Sequence, residues 1–400
     1  MKRILAAWLA VTALAPCARP LAAEPLDLAP PSQALTLARI AQGSEVHVVL
    51  VVEADEKGIG AVPLGAPASG QALDALAGRE PSEIAMLAAP GAPLDRFPWS
   101  ALLPAISSPR NIAAGANYVA HGEEVSVEAP FVFPKLVAPD ASFHRLVMRP
   151  EWLLDYEVEL AVVFDRDIRN ESDLAAAKAG LFVVNDFTDR ATLIREIDLS
   201  IPDVGGGFAN SKGQPGFLPT GPFVVVPQDW RAFLREIEIR LEVNGVQRQQ
   251  ATPADLIWNV DEIVRRTLAL EGQPHWVHGG RRVTLLDDGI PQGMAILTGT
   301  PGGVVFNAPT NLFIARGIAG WLFGFHFLDQ GATAYVQERL IDDTRSQRIY
   351  LQPGDEIVAE ARWLGRITTK VVAPDSAHAH AGGVGTPAAP SAPHPPDSAR

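Results

Sequence analysis

Acidic and apolar side chains alternate in one short stretch of the chain, residues 155–160, which reads Asp-Tyr-Glu-Val-Glu-Leu. With the apolar residues 161–164 that follow, it has the composition of a β-strand. Side chains alternate between the two faces of a strand, so Asp155, Glu157 and Glu159 share one face. Neighbouring carboxylates repel one another, and burial would raise their pKa values. This face is therefore either exposed to solvent, which these six residues alone favour, or occupied by a cation.

Asp186 could complete a cation site with this strand. It follows an apolar stretch, residues 181–184, that is typical of a buried strand. Together with Glu157 and Glu159 it would offer three oxygen ligands, a set that suits Mg²⁺, and also Mn²⁺ or Ca²⁺. Zinc is less suited, because no cysteine and at most one candidate histidine are present in this region.

His121 and Glu124 stand three residues apart, so on one helical turn their side chains would meet. A carboxylate fixes the tautomer of a neighbouring imidazole and makes the ring a better base, which is how hydrolases activate water. Such pairs also occur often as simple surface contacts. The pair alone therefore does not establish a catalytic dyad.

Length and composition define the frame that must position these residues. Four hundred residues exceed the usual size of one core, so we expect two domains with terminal tails. The 34 glycines and 34 prolines indicate a β-rich chain with many loops rather than a helical bundle. A net charge of −13 argues against nucleic acid and anionic membranes as partners, because both bind basic surfaces.

The first 23 residues have the pattern of an export signal. Lys2 and Arg3 precede an apolar stretch at 4–15, and small residues at 21–23 predict cleavage before Glu24. The apolar stretch is too short for a spanning helix, so we expect an exported, periplasmic protein without an integral membrane span. An uncleaved anchor and a lipoprotein attached through Cys17 are the alternatives. Cys17 is the one cysteine of the sequence, so cleavage would leave no thiol for a disulfide or for catalysis.

Changes in composition divide the rest of the chain into three regions. Residues 24–105 are predicted to form a small α+β N-terminal domain, and residues 106–372 a catalytic domain that contains an insertion at about 306–350. Residues 373–400, rich in Ala, Pro, His and Ser, are predicted to be a disordered tail. The apolar run 317–328 inside the insertion favours core packing, with a lid, a subunit contact or a membrane-surface patch as alternatives.

Short motifs from about residue 104 to 372 resemble, in order and spacing, the catalytic C-terminal domain of the fumarylacetoacetate hydrolase family. The motifs are Asn117-Tyr118-x-x-His121-x-x-Glu124, Phe133-Pro134-Lys135, Asp155-Tyr156-Glu157-x-Glu159-Leu160, Asn185-Asp186-x-x-x-Arg190, Lys212-Gly213, Pro219-x-Gly221-Pro222, Asn244-Gly245-x-x-Arg248-Gln249, Thr298-Gly299-Thr300-Pro301-x-Gly303 and Pro353-Gly354-Asp355.

This resemblance implies a mostly β fold with some α, a mixed β-roll, in a protein that is usually a homodimer. It implies a divalent metal and small-molecule substrates that are 2-oxo or 1,3-dicarbonyl acids. Carried over by motif, the metal ligands are Glu157, Glu159 and Asp186, and the water-activating dyad is His121 with Glu124. Lys212 and Arg190 would face the developing negative charge, and Thr300 and Gly299 would contact the substrate. Asp155 receives no role.

The sequence departs from the family pattern after Asp186. Where the family has an aspartate and a glutamine, this chain has Ala191 and Leu193, and the insertion is longer than the usual connection. The expected function is metal-dependent hydrolysis of a carbon–carbon bond in an acylpyruvate-like diketo acid, because His121 and Glu124 are retained. A 2-oxo acid decarboxylase, isomerase or lyase on the same scaffold is the second hypothesis. An exported metal-binding protein without turnover is the third.

Overall fold

β-Strands dominate the structure, which is a computed structural model that describes residues 26–374 except 68, 199, 200, 202 and 203. The predicted export signal, with Cys17 in it, lies outside the described residues, as does the predicted tail beyond residue 374. Within the described residues, no helix combines the length and apolar character that crossing a bilayer requires.

The strands, numbered along the chain, are β1 (Ala34–Gln42), β2 (Glu45–Asp55), β3 (Gly58–Gly65), β4 (Asp95–Pro98), β5 (Arg110–Gly115), β6 (Phe131–Leu136), β7 (Phe143–Val147), β8 (Leu154–Asp155), β9 (Val158–Phe164), β10 (Ala179–Asn185), β11 (Thr188–Asp189), β12 (Val224–Pro227), β13 (Ile239–Val243), β14 (Val246–Ala251), β15 (Trp276–His278), β16 (Arg281–Val283), β17 (Ile296–Leu297), β18 (Glu356–Ala361) and β19 (Gly365–Val372).

The α-helices are mostly short and connect the strands. They are α1 (Pro81–Ala85), α2 (Val119–Val125), α3 (Glu171–Ala176), α4 (Arg190–Glu196), α5 (Gly207–Ser211), α6 (Trp230–Phe233), α7 (Val260–Leu268), α8 (Asn311–Phe323) and α9 (Ala332–Gln347). The predicted mostly β fold with some α is confirmed.

Two large sheets organise the strands. Ten strands form a mixed sheet in the order β4-β3-β2-β1-β12-β10-β9-β17-β5-β6, and five form a second sheet in the order β14-β13-β18-β19-β7. The second sheet packs on β9 and β10. Because β9 and β10 lie in the middle of the first sheet and are covered, all of their residues are buried and their sequences are almost continuously apolar.

The N-terminal region contributes β1 to β4 to the large sheet, through an antiparallel pairing of β1 with β12. The predicted boundary near residue 105 falls between β4 and β5, so the sheet is continuous across it.

The acidic stretch forms two short strands rather than one. β8 ends at Asp155, and β9 begins at Val158. Side chains take the two backbone N–H groups between these strands: Asp155 accepts from Tyr156, and Asn185 accepts from Glu157. β8 and β9 pair antiparallel with β11 and β10. The chain therefore brings residues 155–159 alongside residues 184–189.

The insertion at 306–350 folds into α8 and α9, which pack on each other through Gly317 and Val336. α9 also packs on α4, whereas the end of α8 and the turn after it expose Phe323, Phe325 and Leu328. The favoured interpretation of 317–328 as core is therefore wrong. α8 is apolar around most of its circumference. Only the side that packs on α9 and lines an internal cavity is covered.

Candidate metal centre and active site

Glu157, Glu159 and Asp186 come together as the sequence predicts, with a carboxylate oxygen of each within 4.8 Å of the others. Their exposed fractions are 4%, 1% and 0%, so the solvent-exposed strand that the six residues alone favoured is excluded. Pairing of β9 with β10 positions them: Glu159 lies opposite Val184, and the N–H of Asp186 donates to the Glu157 carbonyl at 2.8 Å.

Lys212 and Arg190 balance part of this charge. Lys212 Nζ donates to Glu157 Oε2 at 2.6 Å, to Asp186 Oδ2 at 2.8 Å and to Thr188 Oγ1 at 2.8 Å. Arg190 Nη2 donates to Glu157 Oε1 at 2.5 Å. Burial acts to raise the pKa of Glu157, but the charges of Lys212 and Arg190 outweigh it and lower this pKa to about 2. Glu157 is therefore held as a carboxylate.

Glu159 is different, because among the described residues it has no ion pair. Its Oε2 accepts the backbone N–H of Gly299 at 2.7 Å. Burial raises its pKa well above the usual value, and the charges of Asp186 and Glu157 raise it further. A divalent cation among the three carboxylates would supply the missing positive charge. The all-oxygen donor set suits Mg²⁺, Mn²⁺ or Ca²⁺, so the residues present fit the predicted metal.

Asp155, which received no role from the sequence, anchors the surroundings of Glu157. Its Oδ2 accepts from Arg190 Nε at 2.9 Å, so one guanidinium bridges Asp155 and Glu157. Its two oxygens also accept the backbone N–H groups of Val305 and Phe306, at 3.0 and 3.1 Å. Asp155 therefore fixes the start of the insertion against the segment that carries Glu157 and Glu159.

Sequence reasoning missed the roles of Lys135 and Gln249, although both stand in the motifs. Lys135 is fully buried; its Nζ pairs with Asp186 Oδ1 at 2.5 Å and donates to the Lys212 carbonyl at 2.6 Å. Gln249 Oε1 accepts from the N–H of Val158, and its Nε2 donates to Thr300 Oγ1 at 2.9 Å. These side chains hold the ligands and Lys212 in place.

His121 and Glu124 lie on α2 and meet, with His121 Nδ1 3.4 Å from Glu124 Oε2. The side chain of His121 is 7% exposed and that of Glu124 26%, so the imidazole of the pair is buried whereas the carboxylate is partly exposed. Glu124 Oε1 accepts the N–H of Gly303 at 2.7 Å. Gly303 has φ +105°, and a Cβ there would lie 2.1 Å from the Arg248 carbonyl oxygen, so only glycine fits beside the dyad.

Thr300 and Gly299 occupy the loop after β17. The Thr300 hydroxyl donates to the Val158 carbonyl at 3.0 Å and accepts from Gln249. Its single hydrogen is therefore already used, and Gly299 uses its N–H for Glu159. The predicted substrate contacts of these two residues stay predictions.

One cavity of about 280 Å³ joins most of the predicted residues. His121, Glu157, Arg190, Lys212 and Thr300 line it, whereas Glu124, Glu159, Asp186 and Gly299 do not. The rest of the lining is mainly apolar. This arrangement can bind a small acid at a cationic end, hold a divalent metal beside it, and place an imidazole base against the same space.

Comparisons with known proteins show what the chain is similar to. Residues 110–372 match the sequence model of a family described as Fumarylacetoacetate (FAA) hydrolase C-terminal. The human mitochondrial oxaloacetate tautomerase FAHD2B is 29% identical over 237 residues, 56% of this chain and 67% of that protein. A 2,4-didehydro-3-deoxy-L-rhamnonate hydrolase of Sphingomonas is 26% identical over 200 residues, 48% of this chain and 61% of that protein.

Solved structures share the fold. A probable 2-hydroxyhepta-2,4-diene-1,7-dioate isomerase of Mycobacterium abscessus has a TM-score of 0.54 and 23% identity, over 86% of this chain and 99% of that one. Proteins similar to this chain therefore carry names of a tautomerase, a hydrolase and an isomerase. Similarity alone does not select the reaction.

Proposed function

Since the chain belongs to the fumarylacetoacetate hydrolase family, we propose that it is a divalent-metal-dependent hydrolase that cleaves a carbon–carbon bond in an acylpyruvate-like diketo acid. Mg²⁺ is the proposed metal, held by Glu157, Glu159 and Asp186. The family match supports an enzyme that acts on a small molecule, and the buried carboxylates support a metal.

The observation that carries the proposal is that His121 lines the same cavity as Glu157 and Lys212. A tautomerase or decarboxylase needs charge stabilisation but no attacking water. A tautomerase needs a base only to move a proton between carbon and oxygen, whereas a hydrolase needs a base that activates water beside the reacting carbonyl. The imidazole of His121, which is buried, has a carboxylate partner and lines the cavity with Glu157 and Lys212, supplies such a base.

The residues of the site have different roles in the proposed reaction. Glu124 lies on the Nδ1 side of His121, so Nε2 is the nitrogen that accepts a proton from water. A cation held by the three carboxylates would supply Lewis acidity toward the oxygens of a 2-oxo acid. Lys212 and Arg190 add fixed positive charge at that end of the cavity, where the substrate carboxylate binds and where negative charge develops as the bond breaks.

A 2-oxo acid tautomerase, isomerase or decarboxylase is the second candidate. It is favoured by the names of similar proteins, among them a bifunctional isomerase/decarboxylase of Salmonella dublin and FAHD2B. Both reactions would use the metal and Lys212, but they would not require His121 as a water-activating base.

A substrate panel separates these reactions. The protein is loaded with Mg²⁺ and given acetylpyruvate, fumarylpyruvate or oxaloacetate, and diketone absorbance and pyruvate are followed. Diketone cleavage that is lost in His121→Ala but retained in the control His47→Ala, a histidine on β2 far from the cavity, supports the hydrolase. Pyruvate formation or tautomerisation from oxaloacetate that survives His121→Ala supports the second candidate. Stoichiometric Mg²⁺ binding without turnover supports a metal-binding protein.

The metal site has a separate test by isothermal titration calorimetry. Glu157→Ala combined with Glu159→Ala should abolish Mg²⁺ binding. Unchanged affinity in this double variant would contradict the assignment.

Export and a homodimer complete the proposal. The charged and apolar pattern of residues 1–23 supports export to the periplasm. Fractionation of cells with sequencing of the mature N-terminus tests this, since cleavage before Glu24 is expected. Light scattering of the purified protein tests the dimer.

A further inference from the structure

The cavity has two chemically different ends. Arg190 and Lys212 define a cationic end beside the metal ligands, and His121 lines the same cavity. The remaining lining is mainly apolar and forms an apolar end, to which three aromatic rings contribute. Phe133 and Phe208 stack with ring centroids 5.1 Å apart, and Phe131 meets Phe208 at 4.8 Å.

The insertion supplies another part of the apolar end. Ile314 and Ile318 of α8 and Val336 and Leu340 of α9 line the cavity. All of residues 306–350 are described, and none of the side chains that they contribute to the lining carries a charge. Two polar side chains there are Thr333 and Gln337, and Gln337 already donates an amide N–H to the Ile194 carbonyl at 2.5 Å.

The wall from the insertion is fixed to the catalytic domain. Ile341 of α9 packs in a buried cluster with Ala191 and Ile194 of α4. Glu338 accepts two hydrogen bonds from Arg195, at 2.6 and 2.9 Å. Because Ala191 is small, α9 can lie close to α4. Ala191, which departs from the family motif, is therefore part of the surface on which the insertion packs.

Leu193, the second departure, lines the cavity itself and is 4% exposed. It presents an apolar surface to the bound molecule on the side of α4 that also carries Arg190. A charged or strongly hydrated group at the apolar end of the cavity would lose its water without gaining a hydrogen-bond or charge partner, which is costly in free energy.

We propose that this cavity selects diketo acids with a long alkyl or an aryl acyl group, an inference that rests on the proposed function. The 2-oxo acid head binds at the cationic end, and the apolar tail lies between Phe208, Leu193, Ile314 and Val336. Water adds its hydroxyl to the acyl carbon as the bond to the pyruvate methylene breaks. The products are the long-chain or aromatic carboxylic acid and pyruvate, whose new methyl group takes the remaining proton.

The test is a tail series with the Mg²⁺-loaded protein: acetylpyruvate, hexanoylpyruvate, decanoylpyruvate and benzoylpyruvate, with fumarylpyruvate as a charged tail. We expect kcat/KM to rise by about fourfold for each methylene that enters the apolar end, and fumarylpyruvate to be the poorest substrate. Rates that stay flat or fall as the tail lengthens would overturn the inference while leaving the proposed hydrolase intact.

A matched pair of variants on α8 checks where the tail lies. Ile314 lines the cavity, whereas Leu312, two residues earlier, is 59% exposed and does not. Ile314→Ser should lower the ratio of decanoylpyruvate to acetylpyruvate rates by about tenfold, and Leu312→Ser should leave that ratio unchanged. Equal effects of the two substitutions would contradict the proposed position of the tail.

Binding without turnover separates the inference from the proposed function. Isothermal titration calorimetry is carried out with Mg²⁺ and pyruvate, 2-oxohexanoate or 2-oxodecanoate. Affinity that rises with chain length while no diketone is cleaved would overturn the hydrolase and support the apolar site. No cleavage and no dependence of affinity on chain length would overturn both.

Discussion

Arg190 and Arg195 lie on the same helix, α4, but Arg190 is buried and Arg195 is exposed. Substituting each in turn therefore measures how much the buried ion pairs contribute to stability. The Arg190 side chain is 2% exposed and pairs with Asp155 and Glu157. The Arg195 side chain is 40% exposed and pairs with Glu338. Arg190→Met would retain much of the apolar stem but would leave Asp155 without the cation that it pairs with.

The expected magnitudes differ by several kcal/mol. Removing one partner of a buried ion pair costs about 3–5 kcal/mol, whereas an exposed pair contributes about 0–1 kcal/mol. We therefore expect Arg190→Met to lower the free energy of unfolding by about 3–5 kcal/mol and Arg195→Met by less than about 1 kcal/mol. Mg²⁺ should restore part of the loss in Arg190→Met, because a bound cation replaces part of the missing charge near Glu157.

Urea unfolding, followed by tryptophan fluorescence and circular dichroism, measures these differences. Each variant is unfolded first with a chelator and then with Mg²⁺, and the slopes with urea are compared to check that the unfolding reaction is the same. Equal, small losses in Arg190→Met and Arg195→Met would refute the reasoning that the guanidinium at 190 compensates buried carboxylates.

Two further predictions concern other buried groups. Glu159→Gln removes a carboxylate whose pKa is raised by burial and by Asp186, so we expect unchanged or higher stability without metal and loss of the stabilisation by Mg²⁺ in thermal melts; retained stabilisation would contradict this. Burial lowers the pKa of His144 to about 4, below the usual 6.5, so the unfolded chain binds more protons between these values and stability falls as pH decreases through this window. At pH 5 the loss from His144 is about 2 kcal/mol, and His144→Asn should remove it, whereas an unchanged pH profile of the unfolding free energy in that variant would exclude this origin.

The metal ligands could be predicted from the sequence because their signals are local. Alternation along residues 155–160 predicts that Glu157 and Glu159 lie on one side. Asp186 directly follows a recognisable strand, and the family motifs connect it to the other two. The interruption at 156–157 was not predictable from propensity, because it depends on the side chain of Asn185.

The roles of Lys135 and Asp155 could not be predicted from the sequence, because they depend on contacts between distant parts of the chain. Lys135 reaches Asp186 from β6, and Asp155 accepts from Val305, which is 150 residues away in sequence. A lone lysine in a strand carries no local signal that it will be buried against a carboxylate. Only the folded arrangement shows that it supports the site.

The insertion shows a limit of apolar composition as a signal. An apolar run such as 317–328 indicates how much apolar surface could be buried, but it does not predict which other residues cover that surface. In the structure Gly317 is buried against Val336, Ile318 borders the cavity, and Phe323 stays 78% exposed. The same run therefore contributes to helix packing, to the cavity wall and to the exposed surface.

The measurement that tests the central claim most directly is hydrolysis of an acylpyruvate by the Mg²⁺-loaded protein in H₂¹⁸O, with both products analysed by mass spectrometry. The predicted result is pyruvate together with the matching carboxylic acid carrying one ¹⁸O in its carboxylate from the attacking water, in the native protein and in His47→Ala but not in His121→Ala. Release of CO₂, or interconversion of keto and enol forms without cleavage, would contradict it.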